Sequence, residues 1–391
     1  MKKLAAVLLI AGPLLGNELP LSEEKSELLK LKREKIQEDI ERGKSAWVSP
    51  LTVSASIAKN KDATDGHSEV KNAGISLNQD IFRSGGIYYA VDQVKASGEA
   101  SLLGVDIEEA TYLKNIYTLK AQIERDKLKY EQSNLTLKNM DIDLFIIKAK
   151  YKVGSADISE LNRATLDRDS ARTDLIVIKN TLRNERYELK KFSGVANAEK
   201  IRLPEIPLIS ENTYLQDHLE LLQYSALDRS DNAAWKVTRS TYLPKLTVNG
   251  TLGYSDYQGD IAEYSGDTYS YGAVLSMPLD INTRGTVASG KLQYLQTKTA
   301  EIDRKMELEQ EYAMRVNTIA DYEEKIGVAE EMIKMYDDLY NFTNNQYKAG
   351  FKSAYDLESL GNSVKIQKLE KEIQGYNIII EKISLYFDTR Q

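Results

Sequence analysis

Cysteine is absent from this 391-residue sequence, which removes disulfides, thiolate metal sites and thiol nucleophiles together. Histidine occurs only as His67 and His218, far apart in the chain, so an imidazole-based metal or acid/base centre has little to build on. Basic charge is not in excess: 52 Lys and Arg face 59 Asp and Glu, a net charge of −7, without a basic block. That balance argues against nucleic acid as a partner. Proline occurs seven times, at 13, 20, 50, 204, 207, 244 and 278, leaving Leu51 to Leu203 and everything after Pro278 free of it. Because proline inside a helix costs about 3 kcal/mol, these two tracts permit very long helices. Pro204 and Pro207 sit near mid-chain and read as an extended linker.

At the N-terminus, Lys2 and Lys3 precede an apolar run from Leu4 to Leu15. A short basic region followed by about 7–15 apolar residues describes a secretory signal, and a membrane-spanning helix needs about 20. Residues 1–16 are expected to be a signal peptide, with Gly16 an acceptable last residue. Its removal leaves a net charge of −9, 50 basic against 59 acidic residues. No later run approaches 18 continuous apolar residues, so no helical membrane span is expected.

Two stretches alternate with period two, the pattern of half-buried strands. In the first, Leu51, Val53, Ala55 and Ile57 oppose Thr52, Ser54 and Ser56. In the second, Leu246, Val248, Leu252 and Tyr254 oppose Thr247, Asn249 and Thr251. Each is followed by a polar loop, Lys59 to Lys71 or Asp256 to Asp267, and then by a second strand, giving two hairpins. The hairpins are copies: Leu51-Thr52-Val53 matches Leu246-Thr247-Val248 at an offset of 195. Tyr151 to Gly154 matches Tyr347 to Gly350 at 196, and Glu160-Leu161 matches Asp356-Leu357 in that frame. Matches at one near-constant offset indicate an internal repeat.

After each hairpin the sequence turns helical, from Ile87 to about Lys150 and from Val287 to about Tyr347, roughly 90–95 Å of helix in each case. Apolar residues recur at three and four, as in Ile319, Ile326, Ala329, Ile333 and Tyr336, and again in the return segments through Leu175, Leu182 and Leu189 or Ile373, Ile380 and Ile383. Spacing sustained this long means antiparallel coiled-coil packing. It does not choose between a helical tube and a solvated structural coiled coil. Gly154 and Gly350 are the residues that end the long helices, by adopting the left-handed conformation. Asp157 or Ser159, and Ser353, cap the helices that follow.

The expected organisation is therefore a signal at 1–16, a first repeat at 17–194, a linker at 195–211 and a second repeat at 212–391. The first repeat holds helices at about 22–46, 87–150 and 157–193 and strands at about 48–58 and 73–82. The second holds helices at about 212–240, 286–346 and 353–388 and strands at about 244–255 and 269–279. Strands of about 9–11 residues, apolar on one face and small-polar on the other, fit a transmembrane barrel wall. Four strands cannot close a barrel, and bilayer edges cannot stay unpaired. The chain must then oligomerise, as an eight-stranded dimer or a twelve-stranded trimer. Thr52, Ser54, Ser56, Thr247, Asn249 and Thr251 would line an aqueous lumen.

These residues resemble the TolC-like outer-membrane efflux proteins. The resemblance covers essentially the whole mature chain. It rests on Tyr242-Leu-Pro-Lys-Leu-Thr-Val248 entering a strand, the passage Leu275-Ser-Met-Pro-Leu-Asp280, Tyr347-Lys-Ala-Gly-Phe351 with Ser353-Ala-Tyr-Asp-Leu357, and the weaker copy Tyr151-Lys-Val-Gly154. It implies a mainly α fold with a transmembrane β part: a homotrimer with a twelve-stranded β-barrel and an α-helical periplasmic tunnel. The location it implies is the outer membrane of a Gram-negative bacterium, with outer-membrane lipid around the barrel. The implied partners are a periplasmic adaptor (membrane fusion) protein and an inner-membrane pump, in efflux or type I secretion, with no cofactor. By motif, Glu160, Tyr347 and Lys352 fall in the links that close the periplasmic end, and Asp356 in its acidic ring; Ser359 stands where some relatives have a second acidic residue. The segment before Trp47 is shorter than the family's usual lead-in and the chain stops after its last helix, so a reduced belt of small elements around the tunnel is expected.

No catalytic constellation emerges. Gly43-Lys44-Ser45 lacks the leading glycine of a phosphate loop, position 38 being Glu38. The competing reading is an exported structural coiled-coil protein, a filament or surface component.

Overall fold

The computed structural model describes residues 20–62, 66–194 and 201–390. The expected signal peptide lies outside the described residues, as do positions 195–200 of the linker. In chain order the elements are α1 (Glu23–Lys44), β1 (Thr52–Asp62), β2 (Gly66–Phe82), α2 (Gly86–Lys152), α3 (Ile158–Ser193), α4 (Glu211–Asp217), α5 (Leu219–Ser240), β3 (Lys245–Gly259), β4 (Glu263–Ser276), α6 (Thr283–Lys348) and α7 (Ala354–Tyr386). The described protein is mostly helical, and its residues divide into two compact units. One comprises residues 31–105 and 220–304; the other comprises residues up to 30, 106–219 and 305 onward.

The first unit holds one antiparallel sheet in the order β1-β2-β3-β4. Its strands are longer than apolar alternation indicates, and they correct the sequence reading. β2 starts at Gly66, not at 73, and β4 at Glu263, not at 269; β1 and β3 run on to Asp62 and Gly259. The stretches expected as polar loops are therefore mostly ladder. An antiparallel ladder is made by backbone groups, and here ion pairs take over the cross-strand contacts: Lys59 with Glu69 at 2.9 Å and Lys71 with Asp256 at 3.9 Å, joined along β2 by Lys71 with Glu69 at 3.1 Å. At the other ends β1 begins only at Thr52 and β4 stops at Ser276, two residues before Pro278. The turn from β2 into α2 uses Ser84 and Gly85 at φ 49° and 87°, and the Ser84 hydroxyl donates to the Pro244 carbonyl at 2.7 Å. Gly98 gives α1 its seat on α2, since a Cβ there would overlap Ile40.

The second unit is a layer of long helices. Within it α2 lies between α3 and α7, and α7 lies between α2 and α6. Arg168 of α3 reaches Asp141 of α2 at 3.0 Å; Tyr117 of α2 stacks on Phe387 at 5.2 Å, and Phe145 meets Tyr355 of α7 at 5.1 Å. Arg315 of α6 bonds Glu381 of α7 at 2.8 Å. Buried Ile116, Ala121 and Ile123 of α2, Leu182 and Leu189 of α3, and Ile373 and Ile383 of α7 form the interior. The expected single helix at 212–240 is two. His218 is extended (φ −64°, ψ 120°) because the chain's last stretch pairs there: Leu219 N–H donates to the Asp388 carbonyl at 3.0 Å and Arg390 N–H to Asp217 at 2.7 Å.

Candidate functional site

Pairing register assigns every strand residue to a face, because directly opposed residues of an antiparallel pair point the same way. Val53, Ile75, Leu252 and Tyr269 form one row across the sheet. Ala55, Ala73 and Tyr254 belong to the next row on that face, and Leu77, Gly250 and Tyr271 to the one on its other side. Through these rows the face is apolar except for Asp267, opposite Tyr254, and it is uncovered, with Val53 77% and Tyr271 86% exposed; beyond them the Ile57 row carries Lys71 and Asp256. The opposite face carries Thr52, Ser76, Thr251 and Ser270 in one row, with Asn78, Asn249 and Gly272 in another. The structure thus places Thr52, Ser54, Ser56, Thr247, Asn249 and Thr251 on one small-polar face. To these it adds a residue the sequence reading missed, Asp80, opposite Thr247, whose hydroxyl donates to it; Arg83 Nε donates to the same carboxylate at 2.6 Å. The alternation of Ala73, Ile75 and Leu77 was the available signal for Asp80's face.

The two turns between paired helices have the same construction 196 positions apart. Gly154 and Gly350 have φ of 75° and 81°, a region where an L side chain costs about 1–2 kcal/mol. Ser155 N–H donates to the Lys150 carbonyl and Phe351 N–H to that of Gln346, each at 2.9 Å, the six-to-one bond of a Schellman ending. Each following helix opens with a reciprocal capping box. Asp157, not Ser159, is the first cap: it accepts from Glu160 N–H at 2.8 Å, and Glu160 accepts from Asp157 N–H at 3.0 Å. Ser353 and Asp356 repeat this at 3.2 and 3.0 Å, with the Ser353 hydroxyl donating to Asp356 at 2.8 Å. These bonds, from the Ser353 N–H first and its hydroxyl second, hold the Asp356 carboxyl below the usual carboxylate range, helped by the charges of Lys352 and Lys150.

Of the expected gate residues, Glu160 lies in the first turn of the helix after Gly154, and Tyr347, Lys352 and Asp356 lie around Gly350. Glu160 spends its carboxylate on its own helix start, whereas Asp356 feels the charge of Lys352. Tyr347 lies three residues, almost one turn, before Gly350 and is partly exposed. Around them the turns expose apolar side chains the sequence reading passed over, Val153 at 76% and Phe351 at 82%.

Between the helices lie buried polar groups. Asn362 Nδ2 donates to Asn139 Oδ1 at 2.9 Å, joining α7 to α2. Asp126 of α2 accepts from Arg125 at 2.7 Å. Burial opposes its charge, but that bond and the charges of Arg125 and Lys129 outweigh it and keep Asp126 ionised. Glu185 of α3, whose Oε2 is buried without a hydrogen-bond partner, is pushed up to about 7 by burial first and by the Asp126 charge second. Among the described residues there is no cluster of three or more His, Asp or Glu suited to a metal ion, and no helix long and apolar enough to cross a membrane.

Residues 212–371 match the family model described as outer membrane efflux protein. No curated protein matches the chain in sequence. Solved structures do match in fold. The outer membrane protein VceC of Vibrio cholerae is 15% identical at a TM-score of 0.76, over 95% of this chain and 94% of its own. The CmeC outer membrane channel of Campylobacter jejuni is 16% identical at 0.73, over 95% and 84%. The open-state MtrE outer membrane channel of Neisseria gonorrhoeae is 13% identical at 0.67, over 93% and 85%. The protein accordingly is similar to the outer membrane efflux proteins in residues 212–371 and has, over almost its whole length, the fold of the outer-membrane channels, as the resemblance to the TolC-like efflux proteins implied.

Proposed function

We propose that the chain is one third of a passive outer-membrane conduit, with a twelve-stranded barrel and a helical periplasmic tunnel. The observation that carries this reading is the sheet: one uncovered apolar face, one small-polar face, and two open edges, β1 and β4. Open edges are a hazard in water and are not tolerated in hydrocarbon. Three copies edge to edge would turn the apolar face to lipid and the Thr52, Ser54, Ser56, Thr247, Asn249 and Thr251 face to a water-filled lumen. The helical unit is consistent with association of copies, since its outer helices α3 and α6 carry exposed Leu166, Ile176 and Tyr187, and Met314, Val328 and Phe342. The chain carries no energy-coupling motif, so a pump and a periplasmic adaptor would supply the drive, in efflux or in type I secretion.

The turns at Gly154 and Gly350 would form the periplasmic entrance, with Glu160, Tyr347 and Lys352 in its closing links and Asp356 in its acidic ring. Two measurements test the reading. The purified chain should run as a heat-modifiable trimer from the outer-membrane fraction and conduct ions in a planar bilayer; a soluble or monomeric, non-conducting protein overturns it. For the gate, Glu160→Gln keeps the capping acceptor and removes the charge. Combined with Lys352→Ala it should raise single-channel conductance, and unchanged conductance takes both residues out of the gate.

A further inference from the structure

We infer that Arg83 and Lys245, arranged around Asp80, form an anion-attracting collar at the helix end of the sheet, which draws carboxylate, phosphate or sulfonate groups of passing solutes to that level. This rests on the conduit reading above and adds a determinant of what the conduit favours. The cluster is braced by backbone. The Ser84 hydroxyl donates to the Pro244 carbonyl at 2.7 Å, so the residues next to this bond, Arg83 and Lys245, come from different halves of the chain to one spot. Asp80 is held between them. The Thr247 hydroxyl donates to it, Arg83 Nε donates to it at 2.6 Å, and Lys245 Nζ lies 4.0 Å away. Both cations are measured to the same carboxylate oxygen, Oδ2, so they are close neighbours. One carboxylate neutralises one cation, and each copy keeps a positive charge in excess. The Asp80 side chain is nearly covered, whereas almost half of each cationic side chain is exposed. Solvent therefore meets the positive charge.

Pairing register puts this charge on the small-polar face. Lys245 opposes Ser276 and shares a side with Thr247, Asn249 and Thr251, and Asp80 opposes Thr247. Along the rest of the ladder that face carries no charge until Asp62, at the far end of β1. The internal repeat does not double the cluster. At the offset of 195 that relates the hairpins, Lys245 corresponds to Pro50 and Arg83 to Pro278. Three copies would therefore carry three such clusters around the lumen. A twelve-stranded wall tilted by about 35–45° has a radius of roughly 11–13 Å, and the long cationic side chains reach inward from it. The axis then lies within about 10 Å of each cation, one Debye length at about 0.1 M salt. Their fields overlap across the lumen, the arrangement that concentrates counter-ions in a charged cleft.

The absence of native cysteine allows that field to be read locally. Val274 is exposed on the same face, opposite Thr247 and diagonal to Lys245, and diagonal neighbours are about 7–8 Å apart. In the full chain in outer membranes, Val274→Cys is treated with anionic sulfonatoethyl or cationic trimethylammonioethyl methanethiosulfonate. The ratio of the two rates reports the potential, because any change in thiol ionisation cancels. At about 0.1 M salt the anionic reagent should be favoured beyond its ratio on a neutral thiol in solution. Lys245→Gln should lower the ratio roughly two- to fivefold and Asp80→Asn should raise it. At about 1 M salt, where the Debye length is about 3 Å, both effects should vanish. Opposite responses separate charge from a structural disturbance, which would shift the ratio the same way in both variants. Ser56→Cys, on the same face but roughly 27 Å further along the ladder, should respond to neither. Ser276→Cys, opposite Lys245, serves as reporter if Val274→Cys does not assemble. A ratio that Lys245→Gln leaves unmoved, or that both variants shift the same way, overturns the collar alone. If neither reagent reaches either thiol, or the chain runs as a monomer, the conduit reading falls with it.

Discussion

Glu185 has its protonation moved toward neutrality by its surroundings, and it shows how a single position couples to the stability of the helical layer. Its carboxyl sits against ionised Asp126, with Arg125 and Lys129 beyond, and is pushed up to about 7 from an ordinary 4.5. The folded state therefore holds a proton that the unfolded chain releases between those values. Stability is intact below about pH 4.5, falls as the pH rises through the window, and has lost the full contribution above about 7. Thermal unfolding of the purified protein at pH 5.5 and 8 should show this decline in the wild type. Glu185→Gln should flatten it and raise the midpoint at pH 8 relative to wild type; an unchanged slope would mean that another group carries the dependence. Asp356 titrates the other way, its cap persisting until the pH falls below the ordinary carboxylate range. This residue-scale electrostatics was not legible in the sequence. Glu185 is one of many carboxylates on charged helix faces, and only the packing of α3 on α2 distinguishes it.

At the scale of elements, what the sequence revealed depended on whether side chains or backbone decide. Turns were legible, because only glycine takes the φ of positions 154 and 350 without strain, and a cap needs a short polar side chain followed three residues later by an acid. The choice between Asp157 and Ser159 needed the structure, since both lie within reach of the helix start. Strand ends were not legible where cross-strand ion pairs replace apolar alternation, as at Lys59 with Glu69 and Lys71 with Asp256. The break at His218 was hidden for another reason: it depends on Asp388 and Thr389, remote in sequence. Helix register has a sharper determinant in Asn139 and Asn362, a buried polar pair of the kind that fixes alignment at a cost in stability. Asn362→Leu alone should destabilise the α2–α7 contact by about 1–3 kcal/mol, because the Asn139 amide is then left buried with fewer partners. Replacing both by Leu should recover most of that loss while loosening register. The two single variants and the double, compared by thermal unfolding, decide it: additive losses would mean that the pair acts only as packing.

At the scale of the whole molecule, the chain carries apolar surface that one copy does not cover. On α6, Ile319 and Ala329 are buried within the helical unit, whereas Val328, Met335, Leu339 and Phe342 remain exposed on the same helix. In the sequence the two sets merge into one broad three-four stripe, which is why periodicity could not separate a helical tube from a solvated coiled coil. Exposed apolar area of this extent on both outer helices is the mark of an interface; on the trimeric reading proposed above, it would meet α3 of a neighbouring copy, where Leu166, Ile176 and Tyr187 are exposed. Phe342→Glu should therefore act on assembly rather than on the fold of one chain. The position is exposed in a single copy, so a charge there is solvated until the copies meet. Carried into the contact unpaired, it costs about 3–5 kcal/mol, repeated at each of the three symmetric interfaces. Detergent-purified Phe342→Glu should then shift from trimer to monomer in native mass measurement with its helical circular dichroism unchanged, while Phe342→Leu stays trimeric. If Phe342→Glu assembles as the wild type does, the α6 flank faces solvent or another partner, and the trimer is held by the sheet edges alone.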